Sequence, residues 1–178
     1  MIVCAMIGSS YRLSPHQTLS VRTSSADTGG ELLEVEATWT AGGDLPPAHL
    51  HPAQHEHFEV VEGTLRVLVG DAERLLEAGD TLDIPAGTVH AMTASGGAAR
   101  AIWQTRPALR TEEYFAKMDG ALSHGGSLLA YAPVFRAHAA EVRLTKPPRW
   151  IQGPLFAVLG LVAKLLGRSR NPNTYMTT

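Results

Sequence analysis

Between residues 31 and 106 the chain is a succession of short runs in which apolar and polar side chains alternate, separated by glycine and aspartate. Residues 31–39 alternate about Leu33, Val35, Ala37 and Trp39, and residues 56–69 form two runs about Gly63. Leu75-Leu76, Thr81 to Ile84, Val89 to Thr93 and Arg100 to Thr105 follow, with Gly70-Asp71 and Gly79-Asp80 between them. A period of two puts alternate side chains on one face of a strand. Short strands at such regular spacing predict an all-β, antiparallel barrel or sandwich. The chain has the means to fill one: 44% of its 178 residues are hydrophobic. Only 18% are charged, against about 25% in ordinary soluble chains, which excludes a disordered, solvating protein.

The pattern changes after Pro107. Thr111-Glu112-Glu113 reads as a capped helix start, and Tyr114, Phe115, Met118 and Leu122 fall on one helical face. Residues 128–141 form a weaker helix interrupted by Pro133. A last helix is predicted over 155–166, with Pro154 in its first turn and Gly167 as its stop. The plan is therefore N-terminal strands and a β-barrel over 1–106, with a helical extension over 107–178 packed on its outside. The final apolar run is broken near its start and falls short of a membrane span. Its nearly empty polar face favours packing or a dimer contact over a membrane-surface helix. Residues 1–7 are apolar but lack a basic leader, and read as a short strand rather than a signal peptide. The single cysteine, Cys4, has no partner for an internal disulfide, which fits a reducing, cytoplasmic setting. A net charge of −2 with no run of basic residues argues against a nucleic-acid partner.

Eight histidines are present, and His49, His51, His55 and His57 fall within nine residues. If residues 49–51 are extended, His49 and His51 project to the same side. On the strand that follows, Glu56 shares a face with Phe58 and Val60, so it points inward, while His55 and His57 point outward. A second hairpin, Gly79 to His90, ends one strand at Pro85-Ala86-Gly87 and opens the next at His90. Inward positions of several strands converge in a closed barrel. Three imidazoles and one carboxylate there make a site for a divalent first-row metal with open positions.

Gly43, His49, His51, Glu56 and Gly63, followed by Gly79, Pro85, Gly87 and His90, resemble the two sequence motifs of the cupin superfamily. Nine of ten fixed positions agree; the tenth, commonly Asn, is Ala94 here. The resemblance implies a small antiparallel jelly-roll β-barrel over about residues 30–106. It also implies His49, His51, Glu56 and His90 as ligands of one divalent metal: Fe, Mn, Ni, Co or Zn. The missing Asn is not a ligand in that pattern. The segment from Arg106 onward resembles the ends of single-domain bacterial cupins and adds no function.

Members of this superfamily include dioxygenases, isomerases, decarboxylases and polyketide cyclases. The resemblance thus implies a metal-dependent enzyme, with dioxygenase-type oxidation favoured and an isomerase or cyclase next. Glu56 would be the catalytic group able to take a proton. Trp39, Phe58, Met92, Ala94 and Trp103 are candidates for an apolar lining, which favours a small apolar or aromatic substrate. A homodimer is expected. A non-enzymatic ligand- or metal-binding module and a barrel with a structural metal are the alternatives.

Overall fold

The structure is a computed structural model that describes residues 8–165. The chain runs β1 (Ser10–Ser14), β2 (Gln17–Thr23), β3 (Leu33–Trp39), β4 (His49–Leu50), β5 (His55–Glu62), β6 (Thr64–Val69), β7 (Ala72–Glu77), β8 (Thr81–Ile84), β9 (His90–Ala94) and β10 (Ala99–Arg106). Then come α1 (Thr111–Ser123), α2 (Leu128–Ala137), β11 (Arg143–Leu144) and α3 (Arg149–Leu165). The strands form two antiparallel sheets: a six-stranded one, β1-β2-β3-β10-β5-β8, and a five-stranded one, β11-β4-β9-β6-β7. This is an antiparallel arrangement of the kind the strand spacing predicts and the jelly roll the resemblance implies, built as two facing ladders rather than one closed cylinder.

The alternation decides which face is buried. Leu33, Val35, Ala37 and Trp39 of β3 are buried, as are Ala99, Ala101, Trp103 and Thr105 of β10 and Glu56, Phe58 and Val60 of β5. Leu65 and Val67 of β6 and Met92 and Ala94 of β9 meet them from the other sheet in a single apolar core. The turn between β5 and β6 rests on Gly63. Its φ is +74°, and a Cβ there would stand 2.1 Å from the Ala98 carbonyl oxygen, so only glycine lets the two chain segments approach this closely.

The helical extension differs from the sequence expectation in three ways, besides α2, which ends at Ala137 rather than at 141 and runs on through Pro133. First, α1 begins at Thr111 itself, with Arg110 before it and no side-chain cap. The Thr111 hydroxyl instead accepts from the Gln54 amide, at 2.8 Å. Ala121 rather than Leu122 completes the buried face of α1 with Tyr114, Phe115 and Met118. Second, α3 starts at Arg149, six residues earlier than predicted, so Pro154 lies inside it. The Pro148 carbonyl accepts from Ile151 and Gln152 and sets this earlier start. The expected stop at Gly167 and the N-terminal strand over 1–7, with Cys4, lie outside the described residues. Third, the extension is not confined to the outside of the strands. After α2 the chain returns to pair Arg143 with Leu50 and Leu144 with His49, so β11 becomes an edge of the five-stranded sheet.

Candidate metal centre

The two histidine-bearing segments meet because β4 and β9 are neighbours, with His49 directly opposite His90. His51 follows β4 by one residue, and its carbonyl accepts from the Gly87 N–H at 2.8 Å. Gly87 has φ +80° and closes the turn before β9. One backbone hydrogen bond thereby ties the second hairpin to the first. Glu56 comes from β5 in the facing sheet. Ligand-type atoms of His49, His51 and His90 all lie within 4.8 Å of one another, and their ring centroids are 4.5–5.4 Å apart. Glu56 Oε1 is 3.2 Å from His51 Nε2, and Oε2 is 3.0 Å from His90 Nε2. His51, Glu56 and His90 are buried, and His49 is half-buried. The structure brings the three histidines together and sets Glu56 against two of them, His51 and His90.

The outward nitrogens decide what the inward ones can do. His49 Nδ1 faces the Pro47 carbonyl at 3.2 Å, His51 Nδ1 the Glu141 carbonyl at 2.7 Å, and His90 Nδ1 the Thr88 carbonyl at 3.1 Å. A carbonyl oxygen can only accept, so each Nδ1 carries the proton and donates it. An imidazole that carries its only proton on Nδ1 turns an Nε2 lone pair toward the centre. The carboxylate of Glu56 also only accepts. His51 Nε2 and Glu56 Oε2 are buried without a hydrogen-bond partner, despite neighbours at 3.0–3.2 Å. Four acceptors aimed at one point repel unless a cation, a proton or a metal ion lies among them. The donor set fits a divalent transition metal: three imidazole nitrogens, one carboxylate and a nitrogen-fixing carbonyl behind each ring.

The electrostatics follow from this crowding. Burial, then the neighbouring His90 and His51, push His49 down to about 3, so it is neutral at physiological pH. Burial works against the charged form of Glu56, but His51, His90 and His49 together outweigh it and hold its pKa low. Burial likewise opposes protonation of His90, yet the Glu56 carboxylate, with Oε2 3.0 Å from Nε2, raises its pKa. A proton and a metal ion thus compete for the same pocket of negative potential.

Of the apolar candidates, Trp103 is closest to the centre: its indole Nε1–H donates to Glu56 Oε1 at 3.0 Å. Phe58 stacks on Trp103 with centroids 5.4 Å apart, and Phe115 of α1 packs on it at 5.3 Å. Met92 lies two residues along β9 from His90 on the same face, and Ala94 two further. Trp39 is not brought to the centre. Thr105, opposite Glu56, pairs with Leu33, and Trp39 stands six residues farther along β3, about 20 Å away along the strand. It is buried at the other end of the core. His55 and His57 point away from the centre as expected, and His57 Nδ1 is 2.7 Å from the exposed Asp83 carboxylate. Two participants escape sequence reasoning. Phe115 enters from a helix outside the barrel, and the Glu141 carbonyl is a backbone group with no side-chain signature.

Residues 35–105 match the Cupin domain family. That stretch is a domain of the cupin superfamily. Among curated proteins it is 38% identical over 61 residues to quercetin 2,3-dioxygenase of Bacillus subtilis, a stretch covering 34% of this chain and 18% of the dioxygenase. It is 45% identical over 38 residues, 21% of the chain, to an oxidoreductase of Arthrobotrys oligospora, of which 15% is covered. This cupin thus matches less than a fifth of the length of either relative. Among solved structures it is similar to KdgF from Halomonas sp., with 20% identity, 56% of this chain and 87% of that one covered, and a TM-score of 0.49. A predicted oxalate decarboxylase from Thermotoga maritima is similar at 14% identity over 51% and 80% of the two chains, with a TM-score of 0.48.

Proposed function

We propose that this cupin is a metal-dependent enzyme whose centre is formed by His49, His51, Glu56 and His90, acting on a small apolar or aromatic compound. The observation that carries the proposal is the convergence of three carbonyl-fixed imidazoles and one buried carboxylate on a common point. One Fe, Mn, Ni, Co or Zn ion held there would supply Lewis acidity, with redox capacity for all but zinc. Within the chain, Trp103 holds Oε1 of Glu56 and leaves Oε2 without a hydrogen bond. Oε2 is therefore the atom able to take a proton from a bound substrate. Phe58, Trp103 and Phe115 form an apolar, aromatic cluster that meets the same carboxylate at Oε1, which favours a planar, apolar substrate over an anion. Dioxygenase-type oxidation is the favoured chemistry, supported by the local similarity to quercetin 2,3-dioxygenase; isomerisation or cyclisation is next.

The test begins with the metal content of tag-free protein, beside a His49→Ala/His90→Ala variant. About one metal per chain, lost in the variant, is the expected result. Iron, nickel or manganese leads to oxygen-uptake assays with aromatic substrates, and zinc to isomerisation and cyclisation assays. A wild-type protein that takes up no metal after reconstitution refutes the enzyme reading.

A further inference from the structure

The net charge of −2 conceals a sharp segregation. All seventeen Asp and Glu residues lie at or before Glu141, whereas six of the fifteen Lys and Arg residues lie after it. Residues 142–178 therefore carry +6, through Arg143, Lys146, Arg149, Lys164, Arg168 and Arg170, and residues 1–141 carry −8. The basic residues are spread over 28 positions rather than run together, which is why they do not stand out as a block.

The same segment holds the least expected surface of the molecule. α3 packs Phe156 and Ala163 inward, Phe156 stacking on Phe135 of α2 with centroids 6.2 Å apart. Its opposite side is also apolar. Trp150 is 78% exposed, Val158 and Leu161 60% each, and Leu165 78%. With the exposed Pro154 they occur at spacings of 4, 4, 3 and 4 residues, one stripe along a single helical face. The stripe is about 22 Å long at 1.5 Å per residue. Isolated apolar residues on a surface are ordinary, but a continuous stripe marks an interaction site.

We propose that α3, with the basic residues on either side of it, docks this protein on the surface of an anionic phospholipid bilayer. The apolar stripe enters the boundary between headgroups and acyl chains, and Trp150 lies at one end of it, at headgroup depth. The basic residues are drawn to the negative leaflet. No described helix is long and apolar enough to cross a membrane, so the helix lies in the interface plane. Charge selects a lipid surface over a second copy of the chain: two copies joined along this stripe would place two acid-free +6 segments side by side.

Vesicle co-sedimentation of the full chain tests this, with phosphatidylcholine vesicles against mixed phosphatidylcholine–phosphatidylserine vesicles. Binding is expected only to the mixed vesicles and is expected to weaken as salt rises. Trp39 and Trp103 are buried, so a blue shift of tryptophan fluorescence on binding reports Trp150. Val158→Asp/Leu161→Asp should abolish binding, and Arg168→Ser/Arg170→Ser should weaken it by about tenfold or more. Both variants should keep the wild-type helical circular dichroism. The proposal is overturned by failure to bind mixed vesicles, or by equal binding to neutral ones. A dimer in solution that Val158→Asp/Leu161→Asp converts to monomer, with no vesicle binding, assigns the stripe to a second copy instead.

Discussion

Trp103→Phe removes one donor from the centre and little else. The indole Nε1–H lies 3.0 Å from Glu56 Oε1, and both groups are buried. Phenylalanine keeps the stacking on Phe58 but has no N–H, so a buried carboxylate oxygen loses its partner. A hydrogen bond to a charged group contributes about 1.5–3 kcal/mol. The smaller ring leaves a void that costs about 1 kcal/mol more. The sum, about 2.5–4 kcal/mol, lowers Tm by about 5–15 °C in a chain of this size. Calorimetry on metal-free protein measures that drop. Metal affinity, by competition with a chromophoric chelator, should fall about 10–100-fold, because the carboxylate is no longer held in place. A double-mutant cycle with Glu56→Gln separates the hydrogen bond from packing, since two residues acting through one bond give less than additive losses. A variant that melts within about 2 °C of wild type and binds metal equally well refutes this account of Trp103.

The pH dependence of the metal-free protein should be two-sided. His49 is depressed from 6.5 to about 3, and Glu56 is depressed from 4.5. Their stabilising contributions are present above those ordinary values and lost as the pH falls. His90 is raised above 6.5, so its contribution is present below 6.5 and lost as the pH climbs through the folded value. Urea unfolding across pH should show His49→Asn flattening the acid limb and His90→Asn flattening the limb above 6.5; an unchanged upper limb in His90→Asn contradicts this assignment. Gly63→Ala, with its Cβ 2.1 Å from a carbonyl oxygen, should cost more than about 3 kcal/mol or prevent folding. Gly79→Ala meets open space at φ +94° and should cost only about 1–2 kcal/mol by the same denaturation assay. His57→Ala should leave the metal stoichiometry unchanged, because that ring faces Asp83 on the outer surface; loss of metal would put His57 in the centre after all.

The centre was legible because its residues obey the two-residue period of extended chain. His49 and His51, Glu56 with Phe58, and His90 each announce a facing direction, and the pairing of β4 with β9 turns those directions into one point. The parity that placed Trp39 in the lining was sound as to face and silent as to depth. Alternation says which side of a sheet a residue takes, whereas distance along the strand depends on register, which β10 sets by pairing Ala99 with Trp39. The helical extension was read least well. Composition locates its helices, but the start of α3 is set by the Pro148 carbonyl rather than by Pro154. A two-residue strand such as β11 is too short to carry any periodic signal, and its existence depends on a partner about ninety residues away.

That short return strand makes the extension a lever on the site. Glu141 fixes the ring of His51 through its carbonyl, and three residues later Leu144 pairs with His49. Five residues beyond Leu144, α3 begins. Two of the four inward groups are therefore held by the same strap that carries the exposed helix. Binding free energies are reciprocal. If gripping α3 shifts that strap, it must change the affinity at the centre, and filling the centre must change the hold on α3 by the same factor. A fold usually regarded as a rigid cup around its ligand would then answer to what its outermost helix touches.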